Sequence, residues 1–487
     1  MALGDVDFGL FGVVGGMTAF ITFVNSMLAA SMSRFYAYSI GKASVSKDPQ
    51  EGLEECRKWF NTAVLIHTSI PCLFMLIGYP VGEWAVHHFL NIPADRVVSC
   101  AWVWRYTCIA CFVGMINVPF SAMYGAKQYI AEMTVYEMAR TLVNFAFIYF
   151  MASHPGDWLS TYAAWTCFLG VIINVLICIR AVVVFPECRF RMSYLWSPVC
   201  LKQLGTYCGW QMLSSVGLLL RGQGVSICVN KFFGAGINAS MSMANTVDGQ
   251  TQSLAGALRG AFQPVITQAC GAGDYDRMRK FALRVCKFSA ALSLIFMLPL
   301  FLEADKVIEL WLKAPPIFVS ELCVMFMFST LLDNITFGHI VSINADGRVA
   351  LSQFFEFVGQ IVCPFTLCIF WFLGCSLYSI GLAFLAAFVV LAAGRVYCAH
   401  RCVGLSIRSW LTCAVVPIVL VSAGSFLIGY FVRGLLQESV WRIFITSLSV
   451  EVFFLPLLWF FVLNREERDF IISRIKKRFA YEERVIC

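Results

Sequence analysis

Residues 159–184 read LSTYAAWTCFLGVIINVLICIRAVVV. Arg180 is the only charge in the run, and apolar side chains occupy most faces of the helix it would form rather than one stripe. At 1.5 Å per residue such a helix exceeds the roughly 30 Å of bilayer hydrocarbon. Comparable blocks recur near 8–32, 59–79, 99–122, 131–153, 205–229, 238–263, 281–302, 318–342, 350–373, 376–397, 410–432 and 441–463. The expected fold class is therefore an all-α integral membrane protein with about thirteen transmembrane helices. Composition agrees, with 13% charged and 59% apolar residues, against about 25% and 45–50% in soluble domains.

The net charge of +7 does not indicate a nucleic-acid partner. The basic residues are dispersed among short loops, as the positive-inside rule produces, and no nucleic-acid motif is present. Most of the 21 cysteines sit inside apolar blocks, where a thiol behaves as a small hydrophobe. Cys108 and Cys111 lack a second pair, and Cys398, His400 and Cys402 are read as an ordinary loop, so no metal is expected. No nucleophile–base constellation or phosphate-cradling glycine motif is visible, and no cofactor or enzymatic chemistry is expected. Asp5 and Asp7 stand where a signal peptide would be basic.

Lysines and arginines are strongly asymmetric across the expected helices. Twenty-five fall on one side, among them Arg57, Lys127, Arg191, Lys280, Arg284, Arg348, Arg395 and Arg401, against six on the other. This places the C-terminus in the cytoplasm, and an odd helix count places the N-terminus outside. Residues 80–98, with Trp84, His87 and His88, read as an external interfacial loop. The tail 464–487 is basic, and Phe470, Ile471, Ile475 and Phe479 give it an amphipathic face for the cytoplasmic leaflet.

The stretch from Arg221 to Asp274 holds Asn230, Phe232-Phe233-Gly234, Asn238-Ala239, Pro264-Val265-Ile266-Thr267 and Ala272-Gly273-Asp274 in order. With the opening LGDVDFGLFGVVGGMTAFITFVNSMLAASMSRFYAYSIGK and Ala345-Asp346-Gly347-Arg348-Val349, it resembles the bacterial polysaccharide-biosynthesis flippases. These are the O-antigen-translocase-like branch of the multidrug/oligosaccharidyl-lipid/polysaccharide exporter superfamily. The resemblance implies a two-lobed MATE-like bundle: a five-helix lobe over 1–185, a six-helix lobe over 200–398 and an additional pair over 410–463. It also implies that the first family helix is missing. The implied substrate is an undecaprenyl-diphosphate-linked oligosaccharide, flipped across a bacterial inner membrane by ion-coupled alternating access. A cation-coupled drug exporter of the same superfamily is the alternative, and a membrane polymerase or glycosyltransferase a more distant one.

A diphosphate in a low-dielectric cavity needs cations, and charges inside spans are expensive and usually functional. Arg221 and Asp248 lie at similar depths, roughly 13 and 15 Å below one surface, and are expected to meet. Arg105, Arg140 and Arg259 are further candidate substrate contacts; Arg140 can pair with Glu137, and Arg105 sits in an aromatic belt. Asp333 and Glu356 share a depth of roughly 10–15 Å and are candidates for a proton or sodium site. Reporter fusions at Cys487 and within 80–98 should give opposite sidedness; a cytoplasmic signal from both would break the helix assignment.

Overall fold

The computed structural model describes residues 5–154, 156–312, 315–469 and 472–473. The amphipathic face expected in the tail, built on Phe470, Ile471, Ile475 and Phe479, lies outside the described residues. Helix accounts for 88% of the described residues, and no strand occurs among them. The first six helices are α1 (Asp5–Gly16), α2 (Ala19–Ala43), α3 (Pro49–His88), α4 (Val97–Ala126), α5 (Ile130–Ser153) and α6 (Leu159–Val184). Next come α7 (Pro198–Thr251), α8 (Ser253–Gly271), α9 (Tyr275–Leu312), α10 (Val319–Asp346), α11 (Ala350–Phe372) and α12 (Ser379–Val403). A short α13 (Ile407–Trp410) runs through a π-helical turn into α14 (Val416–Leu435), and α15 (Val440–Leu457) follows.

Ten of the described helices are long and apolar enough to cross a bilayer, or eleven if α1 and α2, which meet at a 59° bend, form one span. This is fewer than the thirteen read from apolar blocks, for two physical reasons. The chain breaks within α7 at Gly234, whose φ of 83° only glycine adopts readily. That break separates the 205–229 block from the one read as 238–263, which is itself divided at Gln252 between the end of α7 and α8. In addition, α5 carries Glu132, Glu137 and Arg140 and is too polar to pass. Two loop assignments are also corrected. Trp84, His87 and His88 belong to α3, which Asp48 caps by accepting from the Gln50 amide at 2.9 Å. Cys398, His400 and Cys402 lie on α12.

Two compact units emerge, one of Met1–Gln211 with Thr267–Asp274, the other of Met212–Ile266 with Tyr275–Cys487. In the first, buried Trp104 of α4 donates its indole N–H to the Tyr79 carbonyl of α3 at 3.1 Å. The basic stretch after α6 is tied onto α3: Asn61 donates to the Arg189 carbonyl and accepts from the Arg191 amide at 2.8 Å. Close backbone approach joins 267–274 to α2, since a methyl on Gly41 would strike the Gln268 carbonyl and one on Gly271 the Tyr38 carbonyl.

In the second unit the terminal pair α14–α15 packs on α9, with Leu294, Leu298 and Leu302 against Ile418, Val421, Val450 and Phe454. Ion pairs pin that apolar seam at both ends. Arg442 grips buried Glu303 at 2.9 Å, and Lys287 grips Glu467 just beyond α15. Glu467 and Asn464 also exchange side-chain-to-amide hydrogen bonds at 2.9 Å, a capping box.

α9 and α10 approach so closely that a methyl on Gly338 would overlap the Ala282 carbonyl. Gly338→Ala should therefore lower stability by about 1–3 kcal/mol. Thermal unfolding of the detergent-solubilised protein checks this, with an unchanged midpoint as the contrary result.

Candidate functional site

The second unit holds its charges along one helix. On α10, Thr330, Asp333, Asn334 and Phe337 recur at spacings of three and four and so share a face. Buried Arg395 from α12 places one arm on Asp333 at 2.7 Å, and its other two nitrogens grip Glu356 of α11 at 2.5 and 3.1 Å. Arg259 of α8 adds a contact to the second Asp333 oxygen at 3.5 Å and another to the Asn334 amide oxygen at 3.1 Å. Its guanidinium also covers the Phe337 ring at 4.5 Å. Asn334, fully buried, passes the network on to Ser293 of α9 at 2.9 Å. Two carboxylates and two guanidiniums thus form a neutral cluster linking α8, α10, α11 and α12, with α9 attached through an amide.

Asp333 and Glu356 are brought together, but with a guanidinium between them. The expectation of a proton or sodium site at Asp333 and Glu356 leaves out Arg395, which the charge asymmetry places with the cytoplasmic-side cations. A signal for it exists in the sequence. Glu356 lies sixteen residues before the end of α11, and Arg395 sixteen residues after the start of α12. Depth matching across that turn makes them level. Arg259 is likewise turned inward onto Asp333.

Arg221 and Asp248 do not form an ion pair within 4 Å. Asp248 is 7% exposed and accepts from Thr330 at 2.8 Å and Gln252 at 2.9 Å. The Arg221 guanidinium lies over Phe388 at 5.0 Å and Phe384 at 5.7 Å, and its buried Nη1 has no hydrogen-bond partner. Equal depth placed both residues correctly along the helices but could not give the rotation of each about its own axis.

In the first unit the remaining candidates have local partners. Arg105 binds Glu83 at 2.5 Å and covers Trp102 at 4.9 Å. Arg140 pairs with Glu137 at 2.6 Å, both side chains about half exposed. Arg180 reaches Glu132 at 3.0 Å, joining α6 to α5.

No protein-family model and no curated protein matches the chain. Solved structures do. The Vibrio cholerae MATE transporter VcmN in its bent form is 16% identical, with a TM-score of 0.61 over 84% of this chain and 95% of that one. A MATE in complex with MaL6 is 13% identical, with a TM-score of 0.64 over 83% and 92%. The fold is that of the MATE transporters. A MOP superfamily transporter from Pyrococcus furiosus shares it at 14% identity, with a TM-score of 0.60 over 84% and 91%. The chain is thus a multi-pass membrane protein with a MATE fold, and the Arg395 cluster and Arg221, which has no carboxylate within 4 Å, belong to its second unit.

Removing Arg395 would leave two acids facing each other in the interior, and breaking such a pair costs about 3–5 kcal/mol. Arg395→Met should lower the melting temperature sharply. Adding Asp333→Asn and Glu356→Gln should restore most of the loss. Triple and single variants melting alike would show that the acids are not what Arg395 stabilises.

Proposed function

We propose that the protein flips a lipid-diphosphate-linked oligosaccharide from the cytoplasmic to the external leaflet of a bacterial inner membrane, for surface polysaccharide assembly. The observation carrying this reading is Arg221, a cation within an apolar helix with no carboxylate within 4 Å and one buried N–H unpartnered. A guanidinium in a dry setting is costly alone and is strongly satisfied by phosphate oxygens, which its planar fork matches. The Phe384 and Phe388 faces hold it in place without neutralising it. Arg259 is the nearest cation in kind, although Asp333 already holds it. Arg105 and Arg140, each paired with its own carboxylate, are the less available ones.

The coupling ion, a proton or sodium, enters this reading as a competitor of Arg395 for Asp333 and Glu356. Occupation of the carboxylates by the ion would release the Arg395 arms and loosen α10, α11 and α12 from one another. The two acids are then the residues on which coupling depends.

A cation-coupled drug exporter is the second reading, favoured by Asp248, a buried carboxylate with no cation within 4 Å. The P. furiosus neighbour is reported to have a binding pocket of reversed polarity, suggesting a different function. That precedent supports both readings on one fold.

Complementation of a bacterial strain lacking its polysaccharide flippase separates them. The wild type should restore surface polysaccharide, and Arg221→Ala should cut it at least about tenfold at normal protein level, the loss of one charge-assisted contact of about 1.5–3 kcal/mol. Asp248→Asn should retain most activity. Loss of export on Asp248→Asn, with Arg221→Ala fully active, would favour cationic substrates instead.

A further inference from the structure

Beyond that transport reading, a second charged site lies at the end of the unit where α9 begins. Lys280, Arg284 and Lys287 follow one another at spacings of four and three, so they share one face of α9. With Arg465, just past α15, they line a cavity of about 390 Å³ whose apolar wall includes Leu283 and Cys413. Two acids reach the same cavity but are already engaged. Glu467 holds Lys287 and lies 3.4 Å from Arg284, while Glu466 lies 3.1 Å from Arg284. Lys280 and Arg465 have no ion-pair partner within 4 Å among the described residues. Four cations against two acids leave the cavity with an excess of two positive charges.

Its level in the chain says what kind of anion fits. Three apolar spans end here together: Tyr275–Leu312 starts, Ile407–Leu435 starts and Val440–Val462 finishes. The cavity therefore sits where polar chain ends meet apolar helix, at headgroup depth. An apolar wall beside two uncompensated cations matches a phosphate whose other substituent is a glycerol backbone and acyl chains. A free anion would gain nothing from Leu283 and Cys413.

We propose that this cavity binds the phosphate headgroup of an anionic phospholipid, with Lys280 and Arg465 as the contacts and Arg284 and Lys287 held ready by Glu466 and Glu467. Occupation would join α9 to the chain just beyond α15 through the lipid, beside the direct Lys287–Glu467 tie. The site is separate from Arg221 and from the Arg395 cluster, and it does not depend on what the protein transports.

Native mass spectrometry of the purified full-length protein, titrated with phosphatidylglycerol or phosphatidylcholine, tests it. Each basic residue near an anionic headgroup strengthens binding about fivefold, so Lys280→Gln with Arg465→Gln should weaken phosphatidylglycerol binding roughly 25-fold. Phosphatidylcholine binding should not change. A control pair removing the exposed charges of Lys202 and Arg401, both to Gln, should have little effect. Three results would overturn the proposal: equal phosphatidylglycerol affinity in wild type and the Lys280/Arg465 variant, an equal loss in the control pair, or displacement of the lipid by inorganic phosphate at matched concentration. The last would assign the cavity to a free anion.

Discussion

A charge removed from water must find a countercharge or a ligand, and in the second unit one helix face meets that requirement. α10 offers Thr330 to Asp248 and Asp333 to both Arg395 and Arg259, while Asn334 reaches back to Ser293. Arg395 is the member on which the others depend. Within the cluster it alone touches two carboxylates from different helices, and without it Glu356 would stand unpaired in the interior while Asp333 kept only the longer contact to Arg259. Apolar packing between these helices is non-directional; the fork of a guanidinium is not. The cluster therefore fixes how α10, α11 and α12 are rotated as well as how close they are.

Contacts of different worth are spread over the same chain. Arg140–Glu137 is half exposed and contributes about 0–1 kcal/mol. Glu303–Arg442 and Lys287–Glu467 are buried, and losing one partner of either would leave a naked charge, at about 3–5 kcal/mol. These two pairs sit at opposite ends of the α9 seam and hold α14–α15 against it. Arg221 belongs to neither class. Two aromatic faces cover it and no carboxylate lies within 4 Å, an arrangement that a purely structural ion pair would not leave.

Much of this was legible in the sequence. Runs such as 159–184 can only be membrane spans, and the order of motifs from Asn230 to Asp274 pointed to the fold now seen. In the sequence Gly41 and Gly271 stand only within stretches that carry a resemblance; the structure supplies their reason, which is carbonyls packed where a side chain would stand. Depth arithmetic brought Asp333 and Glu356 to one level, and they do share a site. It failed for Arg221 and Asp248, because equal depth leaves the angle about each helix axis open. Arg395 was hidden by its position near a helix end, where a basic residue reads as a loop charge. Its level match with Glu356 across the α11–α12 turn was available but needs the turn located to within a residue. Gly234 was hidden for a related reason: its apolar neighbours Phe232 and Phe233 continue the hydropathy of the helix straight through the break.

The central claim is that Arg221 has no carboxylate within 4 Å because its proposed partner is a diphosphate. Direct binding of undecaprenyl diphosphate to the purified protein, measured for wild type and Arg221→Gln, tests this most closely. The account predicts an affinity at least about tenfold lower in the variant, matching one charge-assisted hydrogen bond of about 1.5–3 kcal/mol. Equal affinity in the two proteins, both folded to the same melting temperature, would contradict it.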